Sequence, residues 1–208
     1  MRILITAGPT REYFDKVRYL TNASTGQMGY ALAAAALAGG HEVVLVSGPV
    51  HLQAPAGCET ILVESTEEMR SAAVREFSRC DGVIATAAVC DYTPLRRIEG
   101  KISKTGGPLI LELVETPDIL AELGRAKGER WAVGFALEAA SGYEHALVKM
   151  REKNCDAIVL NGPSAIGSPD NEINLLDRTG KVALHYAGSK GKVAEEILGW
   201  IERELGGG

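Results

Sequence analysis

The 208 residues are 46% hydrophobic and 24% charged, an ordinary globular balance, and the length suits one domain with a sizeable core. A net charge of −5 argues against a surface for nucleic acid or anionic lipid. Local lysines can still meet an anionic substrate.

Segments of strand and helix character alternate, the pattern of an α/β fold with a mostly parallel sheet. Arg2 to Thr6 reads as a buried strand, followed by a polar loop from Gly8 to Thr21. Thr25 to Ala38 is the next helix, stopped by Gly39-Gly40, with Ser24 or Thr25 as its expected cap. Strands are expected at Glu42 to Val46 and Thr60 to Val63. Ser65 to Glu68 is a capping box that opens a helix to about Arg79, and Gly82 to Thr86 is a fourth strand.

The alternation then breaks. Thr93 to Gly107 is polar and basic, and Leu109 to Val114 reads as a strand; an excursion of this length is a lid, an interface arm or a disordered loop. Thr116-Pro117-Asp118 predicts a helix start with proline in the first turn. Trp131 to Leu137 is a strand, Tyr143 to Lys153 a helix and Ala157 to Leu160 a strand. Asn171 to Leu176 and Val182 to His185 flank the hairpin signal Asp177-Arg-Thr-Gly180, and Ser189 caps a last helix, Val193 to Leu205.

Cys58, Cys80, Cys90 and Cys155 make no CxxC pair and have no histidine at metal spacing, which predicts reduced, buried thiols rather than disulfides or zinc. Met1 leads directly into a strand and no apolar run reaches bilayer length, so neither a signal peptide nor a membrane span is expected.

The stretch Leu20 to Tyr30 is the first candidate site. Asn22, Ser24, Thr25, Gly26 and Gly29 stand where a helix begins, and leading N–H groups there can take a phosphate or simply a cap. The first strand is not followed by G-x-G-x-x-G, which counts against an ordinary dinucleotide enzyme. Ligands in open α/β sheets bind beyond the strand C-terminal ends. Four such ends carry small or polar residues: Ala7-Gly8, Ser47-Gly48, Ala87-Ala88 and Gly134-Phe135. Asp91 suits either a ribose or metal contact or an Asx turn. Lys101 and Lys104 can swing onto phosphates or remain solvated. Lys149 and Lys153, four apart on a helix, share one face, fit for a triphosphate or for solvent. Phe135 is a core residue or a base-stacking one.

Together the segments resemble the phosphopantothenoylcysteine synthetase family. The resemblance rests on Thr6-Ala-Gly-Pro-Thr-Arg-Glu, Val17-Arg-Tyr-Leu-Thr-Asn-Ala-Ser-Thr-Gly-Gln-Met-Gly, and Val46-Ser-Gly-Pro-Val. It continues through Ala87-Ala-Val-Cys-Asp, Lys101-Ile-Ser-Lys, Leu111-Glu-Leu-Val-Glu-Thr-Pro-Asp-Ile-Leu, Val133-Gly-Phe-Ala and Gly167-Ser-Pro-Asp-Asn-Glu. It implies a Rossmann-like three-layer α/β/α fold over residues 1–208, with flap and dimer arm at about 93–115. Many bacteria fuse this domain behind a flavin-dependent decarboxylase, and a chain starting at Met1 is expected to be the stand-alone form.

The resemblance also implies a cytoplasmic homodimeric ligase of coenzyme A synthesis, with no nucleic-acid or membrane partner. It would join 4′-phosphopantothenate to cysteine through an acyl-cytidylate, converting CTP, or ATP as the alternative, to the monophosphate and pyrophosphate with Mg2+. Catalytic roles fall on Lys101, at the α-phosphate, and on Asn22, which would hold the acyl carbonyl. Nucleotide contacts fall on Gly8, Ser47, Gly48, Ala87, Ala88, Asp91, Lys101, Phe135, Lys149 and Lys153. Substrate contacts fall on Asn22, Ser24, Thr25 and Gly26. No protein metal ligand is implied. The chain has Leu160-Asn161-Gly162 where the family carries Ala-Asn-Asp, and its flap is poorer in lysine. The reading from another class is a Rossmann-type NAD(P) oxidoreductase, and a third is a non-catalytic nucleotide-binding module. The missing fingerprint and the lack of Tyr-x-x-x-Lys speak against the oxidoreductase.

Overall fold

Ile3 and Ile5 pack on one side of a sheet and Leu4 on the other, and the same alternation separates Val43 and Leu45 from Val44 and Val46. Strands buried on both faces must be covered twice, which dictates three layers. A computed structural model describes residues 1–137 and 142–207; residues 138–141 and Gly208, within the expected single-domain span, lie outside the described residues.

The strands are β1 (Arg2–Ala7), β2 (Arg11–Tyr13), β3 (Tyr19–Thr21), β4 (Glu42–Ser47), β5 (Glu59–Leu62) and β6 (Gly82–Ala85). They continue with β7 (Tyr92–Pro94), β8 (Leu113–Glu115), β9 (Trp131–Leu137), β10 (Ala157–Asn161), β11 (Asp170–Asp177) and β12 (Val182–Ser189). The helices are α1 (Gln27–Ala38), α2 (Thr66–Phe77), α3 (Ile119–Ala126), α4 (Tyr143–Glu152) and α5 (Lys190–Glu204).

The central sheet has eight strands in the order β12-β11-β10-β9-β6-β1-β4-β5. The six from β10 to β5 run parallel, and β11 and β12 are antiparallel at one edge. This is the expected three-layer α/β/α fold with a mostly parallel sheet. Helices α1 and α5 cover the Ile3/Ile5 face; α2 and α3 cover the Leu4 face, and α4 extends that layer over Ile158 and Leu176. The chain proceeds from β1 to β4 and β5, then returns to place β6 on the other side of β1. That reversal opens a crevice at the strand C-terminal ends.

The structure corrects several boundaries. The Gly8 to Thr21 loop contains a hairpin, β2 paired with β3. Leu109 to Val114 is not a strand throughout: β8 pairs with β7 only from Leu113, because Tyr92–Pro94 supplies just three residues of partner backbone. Pro117 precedes the helix instead of entering its first turn. Asp118 is the cap of α3, accepting from the Ala121 N–H at 2.9 Å. The capping box holds as expected, with Ser65 accepting from the Glu68 N–H. All four cysteines are free thiols, and Cys58 is only half-buried.

Candidate functional site

Tight backbone packing builds the floor of the crevice. Gly8 leaves β1 with φ +73°, and its carbonyl accepts from the Ala88 N–H at 2.9 Å. A side chain at Gly48 would place its Cβ 1.8 Å from the Pro9 carbonyl oxygen. Ser47 is fully buried and bonded to the Tyr30 hydroxyl at 3.0 Å. Gly8, Ser47 and Gly48 therefore support the floor and do not line the cavity above it. The expected nucleotide contacts at these three positions have no exposed group behind them.

Above the floor lies a cavity of about 760 Å³. It gathers residues far apart in sequence: Asn22, Ser24, Thr25, Gly26, Ala87, Ala88, Asp91, Phe135, Lys149 and Lys153 all line it. Helix α1 starts there, two residues later than expected. Its N-cap is Gly26 in the left-handed region, φ 76°, with no side-chain cap bond; Ser24 Oγ accepts from the Gly26 N–H instead. The expected Ser24 or Thr25 cap is thus replaced by glycine.

Asn22 is held by its amide nitrogen, which donates to the Ala88 carbonyl at 3.0 Å and the Val89 carbonyl at 2.9 Å. Two carbonyl partners occupy both amide hydrogens, so Asn22 has only its Oδ1, an acceptor, to offer a ligand. It has no hydrogen left to donate to an acyl carbonyl. The Ala88 N–H is likewise engaged with Gly8, and its carbonyl also takes the Thr10 N–H at 3.4 Å. Ala88 therefore has no free N–H with which to read a base.

The Asp91 carboxylate accepts no hydrogen bond among the described residues, so it is not an Asx-turn residue, and it lines the cavity. Phe135 does two things at once: it packs against the core and borders the cavity. Lys153 caps α4 and pairs with Asp118 at 3.0 Å, so part of its charge is already compensated.

Lys101 and Lys104 are exposed and do not line the cavity. Their arm docks on the hairpin turn at 14–18. The Lys16 N–H donates to the Gly100 carbonyl at 2.9 Å, and the Ile98 N–H to the Phe14 carbonyl at 3.0 Å. Asp15 accepts from the Ile102 N–H at 3.2 Å, while Arg18 donates to the Ile102 carbonyl at 3.3 Å. Burial by itself would raise the Asp15 carboxyl; the N–H groups of Val17, Arg18 and Ile102 and the Arg18 charge outweigh it and hold it below the usual range.

Sequence reasoning gave no site role to Asn161, Asn171 or Lys190, which also line the cavity, although Asn161 and Asn171 stand in segments weighed for the resemblance. One signal for Lys190 was present. A lysine in the first position after the cap Ser189 sits against the positive end of a helix, where cations are disfavoured.

The model of the DNA/pantothenate metabolism flavoprotein C-terminal domain matches residues 1–205. A coenzyme A biosynthesis bifunctional protein CoaBC of Bacillus subtilis (strain 168) is 48% identical over 201 residues, covering 94% of this chain and 50% of the relative. A protein named a cysteine/cysteine sulfinic acid decarboxylase, from an unknown prokaryotic organism, is 42% identical over 203 residues, covering 95% of this chain and 56% of the relative. The chain spans about half the length of the curated relatives it matches. A crystal structure of the C-terminal domain of a coenzyme A biosynthesis bifunctional protein CoaBC superposes with a TM-score of 0.83 at 41% identity. That match covers 99% of this chain and 97% of the other. These relatives lend no support to a nicotinamide oxidoreductase.

Proposed function

Since the chain belongs to the family of the DNA/pantothenate metabolism flavoprotein C-terminal domain, we propose that it is the ligase that joins 4′-phosphopantothenate to cysteine in coenzyme A synthesis. The observation that carries this reading is the near-complete overlap, at 41% identity, with the C-terminal domain of a coenzyme A biosynthesis bifunctional protein. The cavity at the switch point supports it, because it collects polar groups spread from Asn22 to Lys190.

In this reading the carboxylate oxygen of phosphopantothenate attacks the α-phosphorus of CTP. A P–O bond forms, the α–β bridging P–O bond breaks, and pyrophosphate leaves. The cysteine amine then attacks the acyl carbon, CMP departs with the bonding electrons, and the amine gives up a proton. Asn22 Oδ1, an acceptor held rigidly by two carbonyls, suits the N–H of that attacking amine. This differs from a role on the acyl carbonyl. The α1 N-terminus favours phosphate oxygens, and Lys149 and Lys153 add positive charge on the opposite layer. Lys101 reaches the α-phosphate when its arm moves over a cavity, its own or that of a second copy.

Magnesium bound to the triphosphate would offset part of its charge, and the phosphate oxygens would hold it in this reading. Among the described residues no group of three or more His, Cys, Asp or Glu could hold a metal ion. A homodimer is supported by the apolar exposure of the arm, where Ile110 is 87% exposed and Leu109, Leu113 and Val114 lie beside it. No helix among the described residues is long and apolar enough to cross a membrane, and a cytoplasmic enzyme fits the chemistry.

The test is pyrophosphate release with phosphopantothenate and cysteine, comparing CTP with ATP. CTP-dependent release with formation of the amide is expected. No release with either nucleotide defeats the reading, and carbon dioxide from cysteine alone would favour the decarboxylase name of the second relative.

A further inference from the structure

Two buried polar side chains of the cavity have no task in the chemistry above. Lys190, at the start of α5, is 8% exposed; its ammonium donates to Gln27 Oε1 at 3.1 Å and the Ala165 carbonyl at 3.0 Å. Both acceptors are neutral, and among the described residues Lys190 has no carboxylate partner. Asn171, in β11, is 6% exposed. Its amide nitrogen reaches the Met28 sulfur at 3.7 Å, and its Oδ1 meets no donor among the described residues.

Each arrangement is unfavourable in isolation. A buried ammonium without a counter-charge has lost its hydration, and burial lowers the Lys190 pKa accordingly. A buried acceptor without a donor carries its whole desolvation penalty. Both side chains touch the first two residues of α1, Gln27 and Met28, where leading helix N–H groups emerge without a side-chain cap. The helix end and the ammonium converge as donors, so they call for an anion with several oxygens. Asn171 Oδ1 beside them calls for the opposite, a ligand hydrogen to accept.

We propose that Lys190, Asn171 and the first turn of α1 form a subsite for a phosphate ester carrying a neighbouring hydroxyl. The phosphate lies between the helix start and the Lys190 ammonium, and the hydroxyl donates to Asn171 Oδ1. The subsite rests on the ligase reading, in which two substrates offer that pair of groups: the nucleoside triphosphate, through ribose and phosphate, and 4′-phosphopantothenate.

Calorimetric titrations with CTP and with 4′-phosphopantothenate, each alone, separate the two sources. Lys190→Met is expected to weaken one ligand by roughly 10- to 100-fold, the loss of a hydrogen bond to a charged group, and to leave the other unchanged. Lys190→Arg recovers part of that loss, and Asn171→Leu weakens the same ligand. The melting temperature of Lys190→Met stays level or rises, since an uncompensated buried charge is removed. Equal losses for both ligands, or no loss for either, overturn the subsite alone. A wild-type chain that binds neither ligand and releases no pyrophosphate overturns the ligase reading, and the subsite with it.

Discussion

Asp15 and Ile102 are joined beneath the arm: the fully buried carboxylate accepts the Ile102 backbone N–H at 3.2 Å. With Lys16 holding the Gly100 carbonyl, the backbone is gripped on both sides of Lys101. The carboxylate also ties down its own turn, accepting from the Val17 and Arg18 N–H groups at 2.7 Å each. Asp15→Asn weakens that grip, because a charge-assisted acceptor becomes a neutral amide. Trypsin cleavage after Arg96, Arg97, Lys101 and Lys104 is expected to accelerate by roughly tenfold. Unchanged cleavage would show that the arm is held by something else.

The same carboxylate contributes to a prediction about acid. Asp15 is held below the usual range despite burial, by the N–H groups and charge already described. Glu76 is lowered by hydrogen bonds from Arg75 and Arg79, and Asp177 by its bond from Thr179. For each, the folded pKa lies below the unfolded one, so the unfolded chain takes up protons first as pH falls. Their stabilisation is complete above the unfolded carboxylate range and is lost below about pH 4. Melting temperatures between pH 3 and pH 7 should show a plateau at the upper end and a fall at the lower. A fall that begins near pH 6 would point to other groups.

Lys127 and Asp156 form a buried pair at 2.8 Å, with side chains only 5% and 3% exposed. Burial, and then the nearby Arg178 charge, lower Lys127 to about 8, which leaves it protonated at neutral pH. Asp156 also accepts from the Ala132 N–H at 2.7 Å and pairs with Arg178. Asp156→Ala leaves the ammonium uncompensated and should cost about 3–5 kcal/mol. Lys127→Met should cost less, because the carboxylate keeps two partners. Urea denaturation of both variants checks the ranking.

Under the ligase reading, Lys101→Gln abolishes CTP-dependent pyrophosphate release. Asn22→Asp is expected to release pyrophosphate once and stall with acyl-cytidylate, since a carboxylate there faces two carbonyls and no longer sits as Asn22 does. A quench followed by mass spectrometry detects the intermediate. Full amide formation by Asn22→Asp removes the asparagine from the second step.

The sheet was legible because both-face burial leaves continuous apolar runs such as Ile3-Leu4-Ile5 and Val43 to Val46, and capping residues such as Ser65 and Ser189 mark helix starts locally. The cavity residues from Asn22 to Lys153 were visible to pattern as helix-start, strand-end and same-face candidates, each with an equally ordinary alternative, and the family resemblance decided between them. Two things were hidden. Gly48 looks like a loop residue until the Pro9 carbonyl is seen against it, and the free hydrogen-bonding capacity of Asn22 depends on backbone 66 residues away. Lys190 and Asn171 depend on contacts 163 and 143 residues distant, which no local window contains.

Helix α5 lies beside α1, so the opening and closing helices of this fold share one wall. Closing that wall joins segments far apart in sequence, so the cavity is completed by a long-range contact, and such contacts slow folding relative to local ones.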